Sequence, residues 1–524
     1  MGVAVLVWLL YVGGRRWQGA KVGRLLWLLL TVYALFQLGF VLYAWSQRAN
    51  FPVNLETMEL LKLQHVKRLL AGQPLYVEPS PAFIPLVYNP LYYYLVLPFT
   101  WVLGVNLFAM RVAAIVGALG AYAVTFLAVR RQTGSAWWGL MALGLLAAAF
   151  RVMDAYLDNA AADSWTLFSI LLGCYLLDLK QGRGVNLLGL LCLIAAFWFK
   201  QYGALFTIGG VLFLTWQEGW QRAWGYWVVA ILLGPLLYWL APTTLLGPRF
   251  HYYTWTVPRQ WAEFHLNSTL LRPVKFVIKH YAWLAISAGV ATLWSWWRQR
   301  KGLSIWHFGL PVALLSGPYV ALDPGNNNNV FIPLGAWLII GGVIGLKQLV
   351  DWAPRLEHWG APIFGLTVSF ALLFYVPTTV LISPDAAAAY SDLRNMLAAL
   401  DGPVYAPGIG QLQEGDPLYP TAHWVPLIDL IRTPGADLCN HQPLTRALLD
   451  PVLHPSGPAY LLLEHPLEED AMLAFLADAY GLVEEFGNRF IALRDSPKLL
   501  EMGWPTYLYR YEPVAGIEPT WACE

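Results

Sequence analysis

Carboxylates set at helical spacing beside apolar segments are the residues here best suited to chemistry. In Asn54–Leu95, NLETMELLKLQHVKRLLAGQPLYVEPSPAFIPLVYNPLYYYL, Glu56 and Glu59 stand three positions apart, on adjoining parts of one helix surface. At roughly 100° per residue, Glu59 falls inside the arc that holds Met58, Leu63, Val66, Leu69 and Leu70. A carboxylate on an apolar face either finds a partner or has its pKa raised. Lys62 lies one turn on, so the reading divides between a Glu59–Lys62 ion pair and a desolvated base that takes a proton. Glu56 is at the edge of the same arc.

Further charges gather in the same way. The stretch RVMDAYLDNAAAD (Arg151–Asp163) carries Asp154, Asp158 and Asp163; the last stands at the mouth of an apolar run, where it either caps a helix or binds a ligand. Lys200 closes AAFWFKQ and Arg111 opens another apolar run; each is either an interfacial anchor or a phosphate ligand. Pro242–Lys275 interleaves Arg249, His251, Arg259 and His265 with Tyr252, Tyr253, Trp255 and Trp261. That is either an aromatic belt with its cations or a pocket for a phosphate and a sugar ring. The turn DPGNNNN (Asp323–Asn329) includes Asn328; its amides either hold sugar hydroxyls or simply form a loop.

The elements that must position these groups follow from composition. With 58% hydrophobic and 12% charged residues and a mean hydropathy of +0.50, the chain reads as an integral membrane protein. Apolar runs suggest spans at Leu25–Trp45, Val112–Val129, Ala136–Phe150, Trp165–Leu177, Leu187–Phe199, Tyr202–Trp216, Ala223–Ala241, Phe276–Trp296, Ile305–Ala321, Phe331–Leu346 and Pro362–Ile382. Alternating these eleven puts the basic clusters (Arg15/Arg16/Lys21/Arg24, Arg130/Arg131, Lys180/Arg183, Arg222, Arg298/Arg300/Lys301, Lys347/Arg355) on one, cytoplasmic side. The alternation requires Pro90–Leu107 to lie along the membrane rather than cross it. Eight acids then face outward (Glu56, Glu59, Glu78, Asp154, Asp158, Asp163, Glu263, Asp323), while Asp178, Glu218, Asp351 and Glu357 face inward.

Charge divides the chain. Residues 1–384 hold 12 acidic and 26 basic residues, whereas 385–524 hold 20 acidic and 7 basic. The expected fold is therefore mainly α, a polytopic membrane domain over 1–384 with a first outer loop over 46–111, followed by a soluble α/β domain over 385–524 on the outer face. In that domain Asp385–Leu400 and Leu467–Tyr480 read as helices, and Pro403–Ala406, Tyr460–Leu463, Phe490–Leu493 and Tyr507–Tyr511 as strands. Cys174, Cys192, Cys439 and Cys523 show no paired spacing, so neither a disulfide framework nor a zinc site is indicated. No phosphate-binding glycine loop, dinucleotide fingerprint, zinc-protease motif or nucleophile elbow occurs. MGVAVLVWLLYVG, at the start, is short for a span and lacks a signal-peptide cleavage site.

Taken together, the ordered motifs resemble the GT-C glycosyltransferases, in particular the polyprenyl-phosphate-sugar-dependent group of protein O-mannosyltransferases and aminoarabinose transferases. The resemblance rests on the glutamate-bearing helix running into GQPLY (Gly72–Tyr76), on YNPLYYYL (Tyr88–Leu95) and on Arg111, and it continues through DNAAADSWTLF (Asp158–Phe168), FKQ (Phe199–Gln201) and NNVFIPL (Asn328–Leu334). It covers roughly residues 25–350. It implies an inverting transfer of a sugar from a polyprenyl-phosphate carrier to an acceptor hydroxyl at the outer face of the plasma membrane. The acceptor would be a lipid, glycan or protein, and no nucleic acid is involved. Glu59, Glu56 or Asp158 would supply catalytic carboxylates; Arg111, Lys200, Arg249 and Arg259 would meet the departing phosphate; Asp163 and Asn328 would bind substrate. Asp158 and Asp163 could also hold a divalent cation such as Mg or Mn. One departure stands out: relatives usually carry adjacent acids where this chain has Leu55-Glu56 and Met58-Glu59, which leaves the base open between the two glutamates. The rival reading is a transporter or lipid flippase, which would favour internal repeats and midplane charges; here the charges cluster at one surface.

Overall fold

A computed structural model describes residues 20–80, 82–240, 245–298, 303–323, 325–355, 360–406, 424–431, 442–470, 473–494 and 504–512. Residues 1–13, Arg15, Arg16, Arg300, Lys301, Glu357, Cys439 and Cys523, all used above, lie outside them. The first part of the chain is a helical bundle: α1 (Ala20–Ala49), α2 (Glu59–Leu70), α3 (Leu91–Leu103), α4 (Leu107–Thr133), α5 (Ala136–Ala148), α6 (Asp163–Leu179), α7 (Arg183–Phe199), α8 (Gly203–Glu218), α9 (Trp220–Leu240), α10 (Leu266–Arg298), α11 (Leu310–Val320), α12 (Ile332–Trp352) and α13 (Ala361–Leu372). Long runs of Leu, Ala and Val make these helices, because apolar side chains that keep every backbone hydrogen bond internal suit a bilayer.

Among the described residues, five helices are long and apolar enough to cross a membrane: Arg24–Ala49 within α1, then α4, α9, Leu266–Arg298 and Asn328–Trp352, which contains α12. The core lies around α12, whose window is 94% buried. By contrast, α1 turns Leu28, Leu29, Val32 and Phe36 outward, as a bundle wall against lipid does.

Several expected elements come out differently. The segment expected over Pro362–Ile382 stops as a helix at Leu372. Pro377, which opens a short 3-10 turn, has no amide hydrogen to carry the helical ladder on. In α9, Pro235 and the non-helical Gly234 widen the helix into a π-turn over Leu232–Leu236. The run after Pro90, expected to lie along the membrane, forms the 13-residue helix α3.

After α14 (Ala386–Ala398) the chain builds a four-stranded sheet in the order β1-β2-β4-β3 from β1 (Val404–Tyr405), β2 (Tyr460–Leu463), β3 (Tyr480–Glu485) and β4 (Tyr507–Tyr511). β1 and β2 run parallel; the other pairs are antiparallel. Two expectations fail. Phe490–Leu493 is not a strand but ends in a 3-10 turn at Ile491–Leu493, and Leu467–Tyr480 is not a helix but gives 3-10 turns at Leu467–Glu469 and Ala474–Leu476 before β3 begins. The sheet's core also reaches into the bundle. Phe51, Val53 and Leu55, from the loop before α2, are buried with Tyr390 and Leu393 of α14 and with Val404, Leu462 and Leu508 of the strands.

Candidate active site

Three segments distant in sequence meet at one end of the bundle, and buried ion pairs bind them together. Glu59, the first residue of α2, is fully buried. Its Oε2 accepts from the Leu55 amide at 2.6 Å and Arg111 Nη2 at 2.6 Å; its Oε1 accepts from Arg111 Nε at 3.1 Å and the Ala160 amide at 2.7 Å. Arg111, one turn into α4, also donates to the carbonyls of Phe51 and Val53, both at 2.6 Å, and of Arg48 at 3.3 Å. Burial by itself would raise the Glu59 pKa, but the Arg111 guanidinium and the two amides outweigh it and hold it below the ordinary carboxylate value. A second staple joins Arg48, at the end of α1, to Asp158 at 2.7 Å, with Asn159 Oδ1 at 3.0 Å from the same guanidinium.

Beside this junction is a narrow polar cleft. Glu56 sits in the turn before α2; one carboxylate oxygen pairs with Lys62, while the other accepts from the Met58 amide at 3.0 Å and Tyr156 OH at 3.3 Å. Lys62 and Tyr156 line the cleft together with Tyr88, Asn89, Tyr93, Asp163, Lys200 and Asn329. Lys200 ends α7 with an extended backbone and is buried. Its Nζ lies 2.8 Å from Asp163 Oδ1 and 5.6 Å from the centre of the Tyr88 ring. Asn329 Nδ2 donates to the same Asp163 oxygen at 3.3 Å. Among the described residues, Asn89 Oδ1, Tyr93 OH and Asp163 Oδ2 are buried with no hydrogen-bond partner. Orphaned polar atoms are costly inside a protein unless something else satisfies them.

His65 stacks on Tyr93 of the cleft, with ring centres 4.8 Å apart. Its Nδ1–H donates to Leu61 O at 2.7 Å, so Nε2 accepts from the Leu86 amide at 3.0 Å. Burial lowers its pKa to about 4, which keeps the ring neutral and in that tautomer. Alongside runs an apolar groove of about 590 Å³, lined by Leu91 and Tyr94 of α3, Ile194 and Trp198 of α7, and Leu233 and Leu237 of α9. The same two helices, α3 and α7, thus give apolar side chains to the groove while Tyr93 and Lys200, at their ends, face the cleft.

The fold has counterparts among solved structures. ArnT from Cupriavidus metallidurans in the apo state superposes with a TM-score of 0.54 at 12% identity, over 92% of this chain and 98% of that one. ArnT from Cupriavidus metallidurans bound to undecaprenyl phosphate superposes with a TM-score of 0.52 at 13% identity, over the same 92% and 98%. The chain shares its overall fold with these ArnT structures. No protein-family model matches the sequence, and no curated protein matches it.

Within this fold, the sequence-derived candidates divide. Asp163 and Lys200 line the cleft, and Glu56 lies behind it, bonded to the lining residues Lys62 and Tyr156. Glu59 and Arg111 satisfy each other behind it, and the expected Glu59–Lys62 pair is instead Glu56–Lys62. The raised pKa considered for Glu59 is likewise reversed. Asp163 is the first residue of α6 rather than its cap, with Ala162 before it, and its side chain turns to Lys200. Asp158 is held by Arg48 and does not line the cleft. Arg249 pairs with Glu78 on the surface at 2.5 Å, and Arg259 is exposed; neither lines the cleft. Asn328 presents its amide to Asp154 and its side-chain oxygen to Arg272, leaving Asn329 to face the cleft. Asp158 and Asp163 each have their own cation, and among the described residues no three His, Cys, Asp or Glu gather as metal ligands.

Sequence reasoning did not single out Lys62, Tyr88, Asn89, Tyr93, Tyr156 or Asn329 as cleft residues. A signal existed for some: YNPLYYYL contains Tyr88, Asn89 and Tyr93, and NNVFIPL contains Asn329. For Lys62 the helical wheel misled, because α2 begins at Glu59 and Glu56 lies outside it.

Proposed function

We propose that this chain is a membrane glycosyltransferase that takes a sugar from a polyprenyl-phosphate carrier and passes it, with inversion, to an acceptor hydroxyl at the outer face. The cleft carries the proposal. It sets two buried ammonium groups, Lys62 and Lys200, beside the carboxylates of Glu56 and Asp163 and the orphaned atoms of Asn89, Tyr93 and Asp163, at the end of an apolar groove. In this reading the carrier tail lies in the groove and its phosphate meets Lys200 and Lys62. The lysines stabilise the charge that develops as the sugar–phosphate bond breaks. Glu56 is the general base that takes the acceptor proton, and Lys62 moves from Glu56 toward the phosphate as donor enters. Asp163 and Asn89 hold sugar or acceptor hydroxyls. The undecaprenyl phosphate named for the solved ArnT complex supports the choice of carrier class. A transporter would have no need of a carboxylate next to a phosphate-binding lysine pair.

The test is direct. Purified chain is incubated with a panel of polyprenyl-phosphate sugars and an acceptor extract, and free lipid phosphate is measured. Release that depends on acceptor supports transfer; donor translocation with no release at all would leave the transporter reading.

A further inference from the structure

At the far end of the bundle from the cleft, a second cavity of about 320 Å³ is lined by Trp27 of α1, Trp137 and Trp138 of α5, Lys347 and Asp351 of α12, and Pro362 of α13. The distance between the two sites can be read from α12. It starts beside Asn329 of the cleft and has 21 residues, so Lys347 and Asp351 lie roughly 25–30 Å from the cleft along the helix, close to the thickness of a bilayer's apolar layer. The three indoles are packed edge to face: Trp27 and Trp137 at 4.4 Å and 88°, Trp137 and Trp138 at 5.2 Å and 84°, Trp27 and Trp138 at 6.3 Å and 73°. The three rings also line the cavity, and an ammonium group seated over an indole face is attracted by the ring's quadrupole. Lys347 and Asp351 form an ion pair across one helical turn at the rim, with side chains 26% and 53% exposed. Below Trp27, α1 exposes Leu28, Leu29 and Val32.

We propose that this cavity binds the zwitterionic phosphoethanolamine headgroup of a membrane phospholipid at the face opposite the cleft. Lys347 opens its pair to take the phosphate. Asp351 and the tryptophan faces take the ammonium, and the acyl chains run down the exposed leucines of α1. The charges favour this occupant over an anionic headgroup, since a lipid without the ammonium would leave Asp351 facing a phosphate. They favour a lipid over a soluble ligand because the cavity opens beside an apolar helix wall.

Native mass spectrometry of the full chain, titrated with short-chain phosphatidylethanolamine and phosphatidylglycerol, tests this. Wild type should prefer the ethanolamine lipid. Asp351→Asn should cut that binding about fivefold and leave the glycerol lipid unchanged or better bound, the scale of a partly exposed charge contact. Lys347→Gln should weaken both. Equal binding of both lipids by wild type, or retained preference in both variants, would reduce the tryptophans to packing with adventitious lipid. Glycerophosphoethanolamine, which has no chains, should compete poorly; competition as strong as the lipid's would overturn the membrane source. None of these readouts uses transfer activity, so the outcome does not depend on the function proposed above.

Discussion

Glu56 and Glu59 stand three positions apart, yet their surroundings suit them to different tasks. Glu59 has both oxygens committed to Arg111 and two backbone amides, and a carboxylate held that way resists protonation. Glu56 shares one oxygen with a lysine that lines the cleft and the other with Tyr156 and the Met58 amide. Glu56→Gln should therefore fold and bind donor while turnover falls about 10²–10⁴-fold, the usual cost of losing a general base. Glu59→Gln should lower stability by about 3–5 kcal/mol, because it leaves the buried Arg111 charge uncompensated. Thermal unfolding and single-turnover transfer on both variants separate the two roles. The reverse pattern would make Glu59 the base. Lys62→Gln and Lys200→Gln belong to the same scale. Each should weaken donor affinity roughly tenfold, as a lost charge-assisted contact does; unchanged affinity in a donor titration would remove both from the phosphate site.

At the scale of elements, a few side chains fix two loops. Arg111 grips the carbonyls of Arg48, Phe51 and Val53, while the side chains of Phe51, Val53 and Leu55 are buried among α14 and the strands. The loop that delivers Glu56 is thus held from below by α4 and from above by the sheet. Across the cleft, Asp154 accepts from the Asn328 amide at 2.5 Å and so secures the turn that carries Asn329. Asp154 and Ala155 have φ of 54° and 50°, a left-handed pair of non-glycine residues that persists only where surrounding contacts impose it. Burial raises the Asp154 pKa to about 6, against the Asn328 amide and Arg151, which act to lower it. Because the folded value lies above the unfolded one, the folded protein prefers the protonated acid. Its stabilising share is full below about pH 4 and is lost as pH rises through about 6. Thermal unfolding between pH 4 and 7.5 should show that slope, and Asp154→Asn should flatten it; identical slopes in variant and wild type would place the titrating group elsewhere.

The whole molecule adds a question of sides. The alternation of basic clusters gives the expectation that the loop over 54–88 and the region after residue 385 share the outer side of the membrane. The burial of Phe51 and Leu55 against α14 and the strands brings those regions into contact, which a split across the membrane would forbid. Cysteines introduced at the exposed positions Gln73 and Ser456 should both react with an impermeant maleimide in intact cells. Labelling of only one would mean that α3 crosses the membrane and that the assigned sides are wrong.

Much of this architecture was legible in one dimension. Apolar runs near 20 residues become helices because burying apolar surface and pairing every amide internally are local demands, and ten of the eleven expected runs coincide with helices or helix pairs along their length. β2 and β4 were equally plain, as YLLL and YLYRY are apolar and aromatic. β3 was not, since YGLVEE exposes most of its side chains and carries a register shift at Leu482/Glu484. The acids and cations of the cleft were legible as a population, because charges beside apolar helices need a reason to be there. Their pairing was not. Arg111 reaches Glu59 from 52 positions away, and Lys200 reaches Asp163 from 37. A spacing rule offers each charge only its helical neighbour, whereas a buried charge is stabilised by whichever opposite charge the packed chain delivers. Tertiary structure alone therefore decided that Glu59 is locked to Arg111 and that Glu56 pairs with Lys62 of the cleft.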